Sequence, residues 1–326
     1  MSFWDAARNK IPAILNAAFG LAVFVFVEYS LLYIFFWLNI DRKIYRGTYN
    51  TLLSVVCILL MLLFAKLTST PKDPLYKIGA ISPGQAAALV IVAIGMLGFV
   101  TTYIVVSDKI SEFLNPVEEA LEEYRESVDR YSDVPEVIVP VWDKVLYIIT
   151  LCFIVPVSEE LVFRGAVFGH LRKAFKPWVA VILSSIVFGL MHGIKLHIGY
   201  AFVCGLIITS CYYLTESLIA PVILHVIFNV FGSGIANFFM LDFVTISDET
   251  SGDMISGINL ASIIFMPISV FAFTYLIVAK RRKDADAKKV AEYIASRKDS
   301  SKEDDEVLPN GDNLLHGNRC SENSAQ

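Results

Sequence analysis

The sequence predicts an all-α polytopic membrane protein of about eight transmembrane helices in one bundle. Three observations carry that expectation. Of 326 residues, 56% are hydrophobic and only 18% charged, too little charge to cover a soluble surface of this size. Mean hydropathy is +0.60. The apolar residues fall into runs near the roughly 20 residues that a bilayer crossing requires.

On that length rule, spans are expected near 13–38, 51–67, 85–106, 144–157, 178–194, 197–214, 219–240 and 258–279. The first run is too long for the core of a secretory signal and lacks a small-residue cleavage site, so it reads as a retained span. Pro71, Pro74 and Pro83 mark the second connection. From Asp108 to Asp143 there are eleven acidic against three basic residues, a solvated acidic loop at about 107–143. Within it, Val117, Leu121, Tyr124 and Val128 recur at helical spacing among glutamates, the pattern of an amphipathic helix on the membrane surface or over the bundle. The fourth run is short alone and is expected to continue through Glu159 and Arg164, which is tolerable only where that stretch faces protein or a wet cavity. Pro156, just before the diacid, is expected to bend or loosen the backbone there. Gly252 and Gly257 frame a loop before the last span. Beyond it, residues 280–298 carry eight basic and three acidic groups and residues 299–326 two basic and seven acidic, a charged tail expected to be disordered. The chain thus divides into 1–143, a chemically distinctive core at 144–240, a last loop and span at 241–279, and the tail at 280–326.

Eight spans put both termini on one side. Lys280, Arg281, Arg282 and Lys283 follow the last span while 241–257 holds no Lys or Arg, so the termini read as cytoplasmic. Arg172, Lys173 and Lys176 agree; Arg42, Lys43 and Arg46 do not. Cys57, Cys152, Cys204 and Cys211 fall in expected spans and Cys320 in the tail, with no zinc or disulfide spacing, so they read as small hydrophobes. Nothing points to nucleic acid.

Three polar patches interrupt the oily core: Ser158-Glu159-Glu160-Leu161-Val162-Phe163-Arg164, Phe188-Gly189-Leu190-Met191-His192, and His225-Val226-Ile227-Phe228-Asn229. A charged side chain at the bilayer centre costs about 2.5–3.5 kcal/mol on insertion scales, so such groups mark function by default. Helical geometry sorts them. Glu160 and Arg164 meet as an i,i+4 pair, and Glu159 points about 100° away, free to work. Phe188 and His192 share one face, His225 and Asn229 another.

This is a kit for peptide hydrolysis. Glu159 can take a proton from water, His192 can share or relay it, and His225 with Asn229 can donate to the tetrahedral oxyanion. The same atoms allow another scheme, in which Glu159, His192 and His225 hold a divalent metal such as zinc that activates the water. Other proteolytic centres lack support: there is no H-E-x-x-H, Gly232-Ser233-Gly234 lacks the surroundings of a nucleophile elbow, and Asp242 and Asp253 fall in one expected loop. Phe188 reads as packing, His170 and His197 as structural or interfacial groups. Glu28, inside the first span, reads as paired with another helix or marking a bend, not as catalytic.

E-E-x-x-x-R, F-x-x-x-H and H-x-x-x-N, in this order on successive helices, resemble the signature of the CPBP (ABI) family, which includes the type II CAAX prenyl endopeptidases. The resemblance covers roughly residues 144–240. It implies an intramembrane endopeptidase, glutamic-type or metal-dependent, in an eight-helix bundle with a cytosol-facing cavity. It assigns water activation to Glu159, a supporting role to His192 and the oxyanion role to His225 and Asn229. Glu160 and Arg164 match the remaining polar positions. The expected partners are membrane lipid and a membrane-associated or lipidated protein or peptide; the expected membrane is the plasma membrane in a prokaryote and the endoplasmic reticulum in a eukaryote. The resemblance also reaches proteins linked to bacteriocin self-protection, so a non-enzymatic immunity or regulatory role is the alternative. A transporter reading is disfavoured by the absence of an internal repeat. The chain's end, Ser324-Ala325-Gln326 after Cys320, is not a CAAX box.

Overall fold

The computed structural model describes residues 3–70, 74–132, 138–241 and 243–306, so Pro71 and Asp242 lie outside it. Among these residues no extended strand forms; Ile78 and Ser217 make an isolated antiparallel bridge. The helices are α1 (Phe3–Trp37), α2 (Arg46–Thr68), α3 (Pro83–Ser111), α4 (Asn115–Ser132), α5 (Val141–Ala174), α6 (Pro177–Leu190), α7 (Lys195–Thr215), α8 (Ile219–Phe239) and α9 (Asp248–Glu306). Seven are long and apolar enough to cross a membrane. The outer faces fit that role: Phe26, Phe36, Leu59, Phe271 and other large apolar side chains are exposed along them.

The expected eighth span, 178–194, is the exception. Helix α6 ends at Leu190 after 14 residues, about 21 Å of rise against a hydrocarbon core of about 30 Å. It survives as half of a hairpin packed on α7. The cause is the turn at residues 191–193, which delivers His192 and closes on Gly193 at φ +76°, a left-handed conformation that suits glycine.

Helix α5 continues, as expected, through the diacid and Arg164, and it runs on to Ala174. Two π-helical stretches, Thr150–Ile154 and Leu161–Phe168, flank Glu159 and Glu160. Pro156 accounts for the first. Its ring has no N–H and crowds the carbonyl four residues back, and the preceding turn widens so that the Val155 N–H reaches Thr150. A third, Val230–Gly234, follows Asn229 directly.

Local chemistry sets the other boundaries. Ser82 opens α3 with a capping box to Gln85 and Pro83 at the first helical position. Helix α4 is the amphipathic helix expected from the glutamate pattern, with Ala120 and Leu121 buried and Arg125 paired to Asp108 at 2.6 Å. The loop expected at 241–257 is shorter, because α9 begins at Asp248 and takes in Gly252, Asp253 and Gly257. Residues 280–306, expected to be disordered, are helical. Their charges pair one turn apart, Lys280 with Asp284 and Lys288 with Glu292, which supports the helix in water.

Two faces of the bundle follow from the order of crossings. Asp143, at the start of α5, binds the start of α2, so these two ends share one face. On the other, Leu218 donates to the Lys77 carbonyl at 2.7 Å and Lys77 pairs with Glu216 at 3.2 Å, joining the α2–α3 connection to the α7–α8 turn. The start of α1 and the end of the last span, near Val278, belong to this second face.

Candidate active site

The core around the site is built by α5. Phe163, Val162, Ala166 and Phe168 pack against Met61 and Phe64 of α2 and against Ala201 and Tyr212 of α7. Within this apolar wall Glu160 and Arg164 are wholly buried. Arg164 Nη1 donates to Glu160 Oε1 at 2.8 Å, and the guanidinium lies 4.3 Å from the centre of the Phe188 ring.

The same Glu160 oxygen meets His225 Nδ1 at 2.7 Å. A carboxylate beside a buried guanidinium can only accept, so His225 carries its proton on Nδ1 and turns Nε2 the other way. Nε2 then lies 3.8 Å from Glu159 Oε2, too far for a direct hydrogen bond and close enough for one water to touch both. Glu159 is the half-open member, with a side chain 21% exposed.

His192 is oriented in the same way. Its Nδ1 is 2.8 Å from the Phe188 carbonyl, which can only accept, so Nε2 is the nitrogen left to work. Phe188 ties the imidazoles together, its ring centre 4.7 Å from that of His192 and 6.2 Å from that of His225. Asn229 donates one Nδ2 hydrogen to the Leu151 carbonyl at 2.9 Å, which fixes the amide and leaves its second hydrogen available.

Glu159, His192, His225 and Asn229 all line one cavity of about 820 Å³. Glu160 and Arg164 do not; they sit behind its wall, holding His225. Among the described residues, no three His, Cys, Asp or Glu side chains stand close enough to hold a metal ion. The set Glu159, His192 and His225 is therefore not assembled as a metal site, and no step is derived through one.

The cavity also takes in residues that sequence reasoning set aside. His197 meets His192 edge-on at 4.5 Å and stacks on Tyr200 at 4.6 Å between ring centres. Glu28 of α1 lines the wall, and so do Arg42, Lys43 and Arg46 from the α1–α2 connection and the start of α2. These are the cations that broke the charge asymmetry of the loops. The misfit was the available signal.

Asp143 holds this connection in place. It is buried and accepts from the Gly47 and Thr48 backbone N–H groups at 2.7 and 2.8 Å and from the Thr48 hydroxyl at 2.6 Å. A side chain thus caps α2 from 95 residues away in sequence. Gly47 permits the approach, since a Cβ there would collide with the Asp143 carbonyl.

Residues 141–231 match the family model described as Type II CAAX prenyl endopeptidase Rce1-like. Three curated proteins show similarity. "Putative membrane peptidase YdiL" of Bacillus subtilis is 24% identical over 57% of this chain and 70% of its own length. "Membrane-embedded CAAX protease MroQ" of Staphylococcus aureus is 34% identical over 26% of this chain and 37% of its own. "UPF0177 protein YxdF" of Lactococcus lactis is 36% identical over 25% and 45%. The chain thus spans less than half the length of the last two relatives. No solved structure matches it.

Proposed function

From the premise that residues 141–231 carry a CPBP-type core in an all-α membrane protein, we propose that this chain is an intramembrane endopeptidase that hydrolyses a peptide bond with Glu159-activated water. One observation carries the reading. Glu159 faces a shared cavity together with the unengaged nitrogens of two imidazoles whose other nitrogens are locked.

Glu159 takes a proton from a water in the space between it and His225 as the water oxygen bonds to the peptide carbonyl carbon. The developing oxyanion is met by the second Asn229 hydrogen and by His225 Nε2–H when that ring is protonated. His192, through Nε2, shares the proton in transit. Glu159 then returns its proton to the departing nitrogen as the C–N bond breaks. General base and oxyanion contributions of this kind are each worth about 10²–10⁴-fold in rate. Glu160 and Arg164 are positioning residues: they fix the tautomer and angle of His225.

The substrate is a membrane-embedded or lipid-anchored protein or peptide. Lys66, Lys77, Arg172, Lys173 and Lys176 lie toward the face that holds the end of the last span, and Lys280 to Lys283 follow directly, which supports cytoplasmic termini. The cavity reaches the connection on the other face. With cytoplasmic termini, that end of the cavity lies away from the cytosol.

The deciding experiment is cleavage of a membrane-inserted reporter peptide by purified protein in nanodiscs. Glu159→Ala should lower the rate at least about 10²-fold with an unchanged melting curve. A variant that cleaves as fast as the parent refutes the mechanism.

A further inference from the structure

One end of the cavity is cationic. Arg42, Lys43 and Arg46 line it, with Tyr49 and Asn50, against the single carboxylate of Glu28. The two guanidinium groups are steered by aromatic rings, Arg42 over Tyr49 at 5.4 Å and Arg46 over Tyr147 at 4.0 Å. The backbone directly after Arg46, at Gly47 and Thr48, is pinned by the buried Asp143 cap. This is a held constellation of positive charge inside the reaction cavity.

We propose that Arg42, Lys43 and Arg46 form a substrate subsite for a carboxylate carried by the peptide about five residues from the bond that is cut. The inference rests on the hydrolase reading and extends it to the choice of substrate. The spacing comes from α5. Arg46 stacks on Tyr147, and Glu159 lies twelve residues further along the same helix, about 18 Å at 1.5 Å per residue. An extended peptide advances about 3.3 Å per residue, so about five residues bridge the two points. Guanidinium groups suit a carboxylate because they donate two parallel hydrogen bonds to it. A peptide anion is favoured over a lipid phosphate because the cations line the same cavity as Glu159.

The probes are fluorescent apolar peptides carrying one Glu, or Gln at the same place, with amidated ends. Their binding to Glu159→Gln protein in phosphatidylcholine nanodiscs is read by anisotropy, so turnover is not needed. The Glu peptide should bind about tenfold tighter than the Gln peptide, and Arg42→Gln with Lys43→Gln should erase that difference while leaving the Gln peptide unaffected. In the parent enzyme, product masses should place the cut four to seven residues from the Glu and follow it when it is moved. Equal binding of the two peptides, or the same preference in the double variant, overturns the subsite even if cleavage occurs. A cut position indifferent to the Glu overturns the spacing. Cation-dependent binding of phosphatidylglycerol without peptide discrimination gives the site to lipid and also overturns the proposal. Absence of any cleavage with the charge preference intact refutes the hydrolase reading and leaves the anion site standing.

Discussion

Replacing Glu160 by Gln should damage this protein in two separable ways. Arg164 is wholly buried and Glu160 is its ion-pair partner, at 2.8 Å. Removing one member of a buried pair costs about 3–5 kcal/mol, because the remaining charge stays desolvated without compensation. At about 2–4 °C per kcal/mol for a large domain, the melting midpoint should fall by roughly 6–20 °C. The second loss is orientation, since His225 Nδ1 gives up a carboxylate acceptor at 2.7 Å. The double variant Glu160→Gln with Arg164→Met separates the two. It removes the orphaned charge and keeps most of the packing against Phe188, so stability should return to within about 1–2 kcal/mol of the parent. Activity should stay depressed at least tenfold because His225 is still unanchored. The assay is intrinsic tryptophan melting in detergent run beside reporter cleavage. A single variant that melts like the parent, or a double variant that cleaves like it, would refute the assignment of Glu160 and Arg164 as positioning residues.

Three further outcomes follow from the geometry. Asp143→Ala removes three charge-assisted hydrogen bonds from the start of α2 and should cost about 2–4 kcal/mol; an unshifted melting curve would show that the cap is dispensable. Single cysteines at Arg42 and at Lys176, in a background without the native cysteines, should react with an impermeant thiol reagent from opposite sides of the membrane. Labelling of both from one side contradicts the order of crossings. Because Glu159, His192 and His225 do not converge as a metal site, titration with a strong chelator should leave reporter cleavage within about twofold of its starting rate, less than a tenth of the loss that removing a general base brings. Loss of activity restored by zinc would refute that reading of the cavity.

Much of this was legible in single residues. The i,i+4 rule paired Glu160 with Arg164 and separated Glu159, and the structure has that arrangement. Hydropathy located seven crossings, and the glutamate pattern located α4. The errors share a cause. Residues 178–194 are mainly apolar, so composition could not show that the helix stops at Leu190 to turn His192 into the cavity. The tail at 280–306 is polar enough to look disordered, yet its charges repeat at helical spacing.

The sequence by itself determined what each short segment would be, because helix periodicity and the cost of burying charge act within a few turns. It named Glu159, His192, His225 and Asn229. Tertiary structure alone decided how they are oriented. His225 is locked by a carboxylate 65 residues away, and the start of α2, beside the basic connection, is capped by Asp143, 96 residues beyond Gly47. Those contacts exist only after the helices pack, since no local rule says which face of one span will meet which face of another.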